Sequence, residues 1–190
     1  HCMKISIKVQ YNSLQECNLG EEDETITLTV LLGYKSNHLH RKLGDKIMAI
    51  TSAVCNTFKT EVLRAIHNFT NGGNTFRLAL YTSSATLNKT TTAYTTSNEV
   101  ANGNGYTTKG AALTNVTPAL SSDTACCDFS DVSFTSASFT ANGCLIFNDT
   151  ASGDPSVCAI AFGGDKVVSS GTFTIQFPAA DASNAILRIA

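Results

Sequence analysis

From Gly73 to the C-terminus, apolar residues either alternate with polar ones or come in short runs, and turn residues separate those runs. Phe76, Leu78 and Leu80 alternate with Arg77, Ala79 and Tyr81, which predicts a strand with one buried face. Further runs fall at Ala112 to Val116, Ala125 to Phe129, Val132 to Thr135, Ser138 to Asn148, Ser156 to Phe162, Val167 to Ser169, Gly171 to Phe177 and Ala185 to Ile189. About eight strands punctuated in this way predict an antiparallel β-sandwich or jelly-roll-like domain. In the run Gly171 to Phe177, Phe173, Ile175 and Phe177 share one face and Thr172, Thr174 and Gln176 the other, so core and surface are separated by the strand period itself.

The period changes before Gly73. Val54, Phe58, Val62 and Ile66 recur every four residues, and Leu63 and Phe69 widen the stripe. Thr51 or Ser52 offers an N-cap hydroxyl, and Asn71, Gly72 and Gly73 supply a stop, so one amphipathic helix is expected from Thr51 to Phe69, docked against strands. Composition shifts again near residue 48. The preceding segment is dense in charge, with Glu21, Glu22, Asp23 and Glu24 in a row, and holds two β-like runs, Lys4 to Gln10 and Thr25 to Leu32. Two strands alone are marginal in water, so that segment must lean on the rest or stay poorly ordered.

Charged residues make up only 15% of the 190 residues and the net charge is −2, which gives no basic excess for a phosphate backbone. The longest apolar runs fall far short of the roughly 20 residues of a membrane span. No basic-then-apolar leader is visible at the N-terminus. Nucleic-acid and membrane partners are therefore not expected. Thr, Ser, Asn, Ala and Gly take the place of charge, and such side chains lose little rotamer freedom when packed against a neighbour.

Candidate chemistry is sparse. The seven cysteines, Cys2, Cys17, Cys55, Cys126, Cys127, Cys144 and Cys158, show no C-x-x-C spacing. They read as reduced core residues, with a Cys144 to Cys158 bridge left open. His38 and His40 would share one side of a strand, but no convincing third metal ligand is near, and they read as a solvated loop. His67 reads as a boundary residue of the helix because no nucleophile motif accompanies it. Asp128 and Asp131 read as a turn between strands rather than a carboxylate pair or a calcium loop. Gly163, Gly164, Asp165 and Lys166 lack the Walker spacing and read as a hairpin turn. Asn-x-Thr sequons occur at Asn68, Asn88, Asn115 and Asn148, as expected by chance in a chain this rich in Asn and Thr. No catalytic, cofactor-binding or metal-binding residue is assigned, and no cofactor.

Four blocks carry a resemblance. Met48-Ala-Ile-Thr-Ser-Ala-Val-Cys-Asn-Thr-Phe-Lys-Thr-Glu-Val-Leu with Ile66-His-Asn-Phe opens it. Thr75-Phe-Arg-Leu-Ala-Leu-Tyr-Thr-Ser-Ser-Ala-Thr-Leu follows, then Ala93-Tyr-Thr-Thr-Ser-Asn-Glu-Val with Gly105-Tyr. Phe162-Gly-Gly-Asp-Lys, Phe173-Thr-Ile-Gln-Phe-Pro-Ala-Ala-Asp and Ala185-Ile-Leu-Arg-Ile-Ala close it. In this order the blocks resemble small virion structural proteins of tailed bacteriophages of marine and freshwater bacteria. The resemblance implies a non-enzymatic capsid decoration or tail component, assembled in the bacterial host cytoplasm, whose partners are copies of itself and other virion proteins. Met48 stands where members of that family begin, so residues 1–47 read as an N-terminal appendage and residues 48–190 as the structural domain. The competing expectation is a host-surface adhesin or carbohydrate-binding module using the long connection Thr82 to Gly110. That module would need exposed aromatics, and with no Trp in the chain the candidates are Tyr94 and Tyr106.

Overall fold

A computed structural model of the chain describes residues 50–190 in full and, before them, the backbone of two strands, β1 (Ile5–Asn12) and β2 (Ile26–Val30). His38, His40, Cys2 and Cys17 lie outside the described residues. Next come β3 (Ala53–Val54), helix α1 (Asn56–Leu63), β4 (Phe76–Tyr81), β5 (Ala111–Ala112), β6 (Asn115–Ser121) and β7 (Thr124–Phe129). Two long strands, β8 (Val132–Asn148) and β9 (Ser156–Gln176), precede the short β10 (Leu187–Ile189). The fold is mainly β, in two antiparallel sheets, as a sandwich requires. The larger runs β2-β1-β9-β8-β4-β5, with β3 also on β9, and the smaller runs β10-β7-β6.

The β8–β9 hairpin is the frame of the larger sheet, and it corrects three expected breaks. The gap read near Ser136 is a bulge inside β8: Phe134 pairs with Phe173 and Ala137 with Gly171, and Ser136 takes a φ of 50°. Opposite it, Ser170, also at φ 50°, bulges β9 before Phe139 pairs with Val168. The glycine pair at 163–164 makes no hairpin turn either. Ala141 pairs with Lys166 and Gly143 with Ala161, so one residue of β8 faces a four-residue bulge of β9, closed by Asn142 Nδ2 donating to Asp165 Oδ1 at 2.8 Å. Turn residues here bend strands without reversing them, because pairing resumes on both sides of each irregularity.

The larger sheet is covered on both faces. Phe76, Leu78, Leu80, Cys144, Ile146, Cys158 and Ile160 face the smaller sheet and α1 in the main core. Ala79, Tyr81, Leu145, Phe147 and Ala159 point the other way, where Ile50, Ala85 and Leu87 seal them into a second core. The single buried face expected for β4 is thus two, since the chain after Tyr81 folds back over the outer side. On β9, Phe173 and Ile175 are fully buried while Thr172 is exposed, as the strand period predicts.

The helix is shorter than its hydrophobic stripe. Val54 belongs to β3, paired with Cys158, and Cys55 stands at the N-cap without a side-chain cap. The expected cap, Ser52, instead accepts the Ala161 N–H with its Oγ at 2.9 Å. Ala65, at φ 57°, ends the helix long before Phe69. The stripe nonetheless docks: Val54 and Phe58 are buried, and Val62 and Phe69 pack against the same core. Phe58→Ala removes a ring that contacts Phe69 and His67, and the expected cost of about 3 to 5 kcal/mol lowers Tm by roughly 10 °C. An unchanged calorimetric Tm would show that α1 does not anchor the core.

Candidate functional site

The smaller sheet turns one apolar face toward α1, and its outer row is left uncovered. Ile189 pairs with Ala125 and Ala125 with Leu120, so these three side chains lie side by side on one face. Leu120 is 75% exposed and Ile189 54%, and Leu63 at the end of α1 is 88% exposed. Between this row and the helix runs an open groove of about 110 Å³, walled by Phe58, Val62, Phe69, Pro118, Cys126 and Leu187. An exposed apolar surface of this kind on a chain with few charges attracts another apolar surface rather than a charged ligand.

The edges of the sheets offer little to a pairing strand. β6 carries Pro118, which has no N–H to donate, and its register slips between Val116 and Ala119. β10 has three residues and β5 two, too few for a strand-pairing template. Only β2, at the far side of the larger sheet, offers a regular five-residue edge among the described strands. The exposed apolar feature of the smaller sheet is therefore a side-chain row and not a strand edge.

The long connection 82–110 holds the densest polar cluster, which no sequence motif announced. Glu99 Oε1 accepts from the Tyr106 hydroxyl at 2.6 Å and the Lys109 N–H at 2.8 Å, and its Oε2 accepts from the Tyr94 hydroxyl at 2.6 Å. Lys109 Nζ sits 2.7 Å from Asp149 Oδ1 and 2.9 Å from Asp154 Oδ2, bridging to the turn between β8 and β9. Arg77 donates to the carbonyls of Lys109 and Gly110. Lys109, at φ 71°, is thus fixed through its N–H, its carbonyl and its ammonium. Gly110 follows at φ 63°, where a Cβ would run into the Leu78 carbonyl. The hydrogen bonds to Asp149 and then Asp154 raise the Lys109 ammonium above its ordinary pKa, and burial followed by the Glu99 contact raises the hydroxyls of Tyr94 and Tyr106. Charged ammonium and protonated phenols are donors, not nucleophiles, so the cluster acts as a latch. The one signal available in the sequence was scarcity, since each charge in so weakly charged a segment has a neighbour to find.

Tyr94 and Tyr106 are committed inward. Tyr106 is 2% exposed and its oxygen also accepts the Leu80 N–H, while Tyr94 stacks on Phe147 with ring centres 4.6 Å apart. Tyr106 thus offers no ring face to a sugar, and Tyr94, half-buried, has one face taken by Phe147 and its hydroxyl by Glu99. His67 corrects its expected boundary position: it is buried, with Nε2 2.9 Å from Glu61 Oε2 and Nδ1 accepting from Asn148 Nδ2 at 3.1 Å. Its polar partners come from the strand end at Asn148, which the helical pattern could not reveal. Asp128 lies within β7 and Asp131 in the two-residue link that carries the chain from the smaller sheet to the larger, and Asp131 Oδ1 accepts the Phe177 N–H at 2.8 Å. Among the described residues no group of three or more His, Cys, Asp or Glu is arranged to hold a metal, and no helix is long and apolar enough to cross a membrane.

Cys55, Cys126, Cys127, Cys144 and Cys158 are free and buried, and desolvation pushes the Cys127 thiol up to about 12. Cys144 pairs with Ile160 and Cys158 with Ile146, so the two thiols are offset by two residues instead of directly opposed. A thiol reagent is expected to label these five only on denaturation, as read by intact mass; rapid labelling of all five in buffer would contradict the packing.

Asp128 gives a pH signature. Burial pushes its carboxyl from 3.8 up to about 6, opposed by the Phe129 N–H and aided by Asp131. The folded state then binds this proton more tightly than the unfolded state, so its contribution to stability is full below about pH 4 and is lost as pH rises through 6. Asp128→Asn keeps an acceptor for Phe129 N–H and is expected to gain in urea midpoint over the parent as pH goes from 5 to 7.5. Parallel profiles for the two proteins would exclude Asp128 as the source.

The chain matches no protein-family model, no curated protein and no solved structure.

Proposed function

We propose that the protein is a non-enzymatic structural subunit of a bacteriophage particle, a capsid decoration or tail component that joins copies of itself or neighbouring virion proteins. The observation that carries the assembly part is the row Leu120, Ala125 and Ile189, exposed at Leu120 and Ile189, beside an apolar groove, on a chain whose polar clusters are spent on internal latches. Support for the virion part comes from the ordered sequence blocks between Met48 and Ala190. The adhesin alternative is weakened by the inward commitment of Tyr94 and Tyr106.

An interface of roughly 1,200 to 2,000 Å² centred on this row is expected, and because its core is apolar it depends weakly on salt. Leu120→Asp with Ile189→Asp places charge on two exposed positions, so the expected result is loss of self-association or particle binding in analytical ultracentrifugation, with Tm nearly unchanged. Assembly that survives both changes, or that occurs only at low salt, refutes the role of this row.

A further inference from the structure

The four Asn-x-Thr sequons share a motif but not an environment. At Asn148 the side chain is fully buried, and Nδ2 is shared among the Ile66 carbonyl, His67 Nδ1 and Asn74 Oδ1 at 3.1 to 3.3 Å. At Asn115, 8% exposed, Nδ2 donates to the carbonyls of Thr70 and Asn74. Asn115 Oδ1 is buried without a partner, so rotating the amide to free its nitrogen would leave the two carbonyls unsatisfied as well. A group attached to either nitrogen would have to occupy space already filled by protein.

Asn68 and Asn88 are arranged oppositely. In each, the side-chain oxygen accepts both the N–H and the hydroxyl of the sequon threonine: Thr70 at 3.1 and 2.7 Å, Thr90 at 2.7 and 2.7 Å. This double contact fixes the amide plane with the oxygen turned back onto the chain. Nδ2 donates to no described residue in either case; Asn68 is itself an exposed residue, and the nitrogen of Asn88 is not among the buried side-chain atoms left without a partner. Asn68 is exposed and Asn88 half-buried, each in a loop outside the strands.

We propose that Asn68 and Asn88 are the positions at which the folded protein accepts an N-linked sugar, and that Asn115 and Asn148 are closed to it. The donor class is a sugar activated as a nucleotide diphosphate ester. Asn Nδ2 forms the new bond to the anomeric carbon, the bond from that carbon to the diphosphate oxygen breaks, the diphosphate leaves with the electron pair, and the amide loses one proton. No oxidant or reductant is needed. The proposal is independent of the assembly surface.

The test uses the full folded chain, UDP-glucose and a soluble N-glycosyltransferase that reads Asn-x-Ser/Thr, with synthetic peptides spanning each sequon as competence controls and proteolytic mass mapping as readout. All four peptides are expected to be modified, whereas the folded chain gains hexose at Asn68 and Asn88 alone and keeps its Tm. Asn68→Gln and Asn88→Gln each remove one hexose, and the double variant removes both. Hexose on Asn115 or Asn148 of the folded chain overturns the proposal. So does an unmodified Asn68 or Asn88 in a folded chain whose matching peptide reacts.

Discussion

Asn148 is the side chain through which three separate parts of the molecule meet. It ends β8, and with both faces of the larger sheet covered its amide has no access to water. Its Nδ2 holds the segment just after the helix, through Ile66 and His67, and the loop at Asn74, while its Oδ1 accepts the N–H groups of Thr150 and Ala151 that begin the turn to β9. The network then runs through the His67 ring to Glu61 on α1. Each of these buried groups would cost on the order of 1 to 3 kcal/mol if left unpaired, so the pieces form together or not at all. Helix, loop and hairpin turn are thereby coupled more tightly than their apolar contacts alone would require.

The same economy governs the outer side. The chain after Tyr81 must stay against the sheet to seal the second core, yet it has little regular pairing of its own, only isolated bridges such as Tyr81 with Glu99 and Ala93 with Pro155. Glu99 and Lys109 take the place of a ladder. One carboxylate gathers two phenols and a backbone N–H, and one ammonium clips the connection to the β8–β9 turn. Charge is used here for position, which is why a long polar connection is ordered and why the hydroxyls of its tyrosines are engaged within the protein.

How much of this was legible follows from range. Strand positions were visible because a period of two is local: Phe173 and Ile175 against Thr172 needed no knowledge of the partner strand. Bulges were not, since Ser136, Ser170 and Gly163-Gly164 carry the residue types of turns, and only the register of the opposite strand decides whether the chain reverses or merely bends. The helix was overextended for the same reason. Its stripe continues to Phe69, but the Ile66 carbonyl and the His67 ring are claimed by Asn148, more than 70 residues away in sequence, and that contact outweighs one more helical turn. Burial of His67 and inward rotation of Tyr94 and Tyr106 are likewise products of partners 5 to 81 residues distant. The exposed row of the smaller sheet was half legible: Ala125 and Ile189 read as strand residues, but Leu120 lies beyond the expected run Ala112 to Val116, in a β6 that continues to Ser121, and the adjacency of the three exists only through Ala125.

The early end of the helix links the buried network to the surface. Had α1 run on as its stripe allows, another turn would follow Leu63. Ala65 in the left-handed region instead turns the chain inward so that Ile66 and His67 reach Asn148, and Leu63 is left at the helix end almost wholly exposed. The exposure of Leu63 thus accompanies the satisfaction of a buried amide. Leu63, Leu120 and Ile189 are exposed among the described residues, and it is cover for them that the assembly proposal supplies.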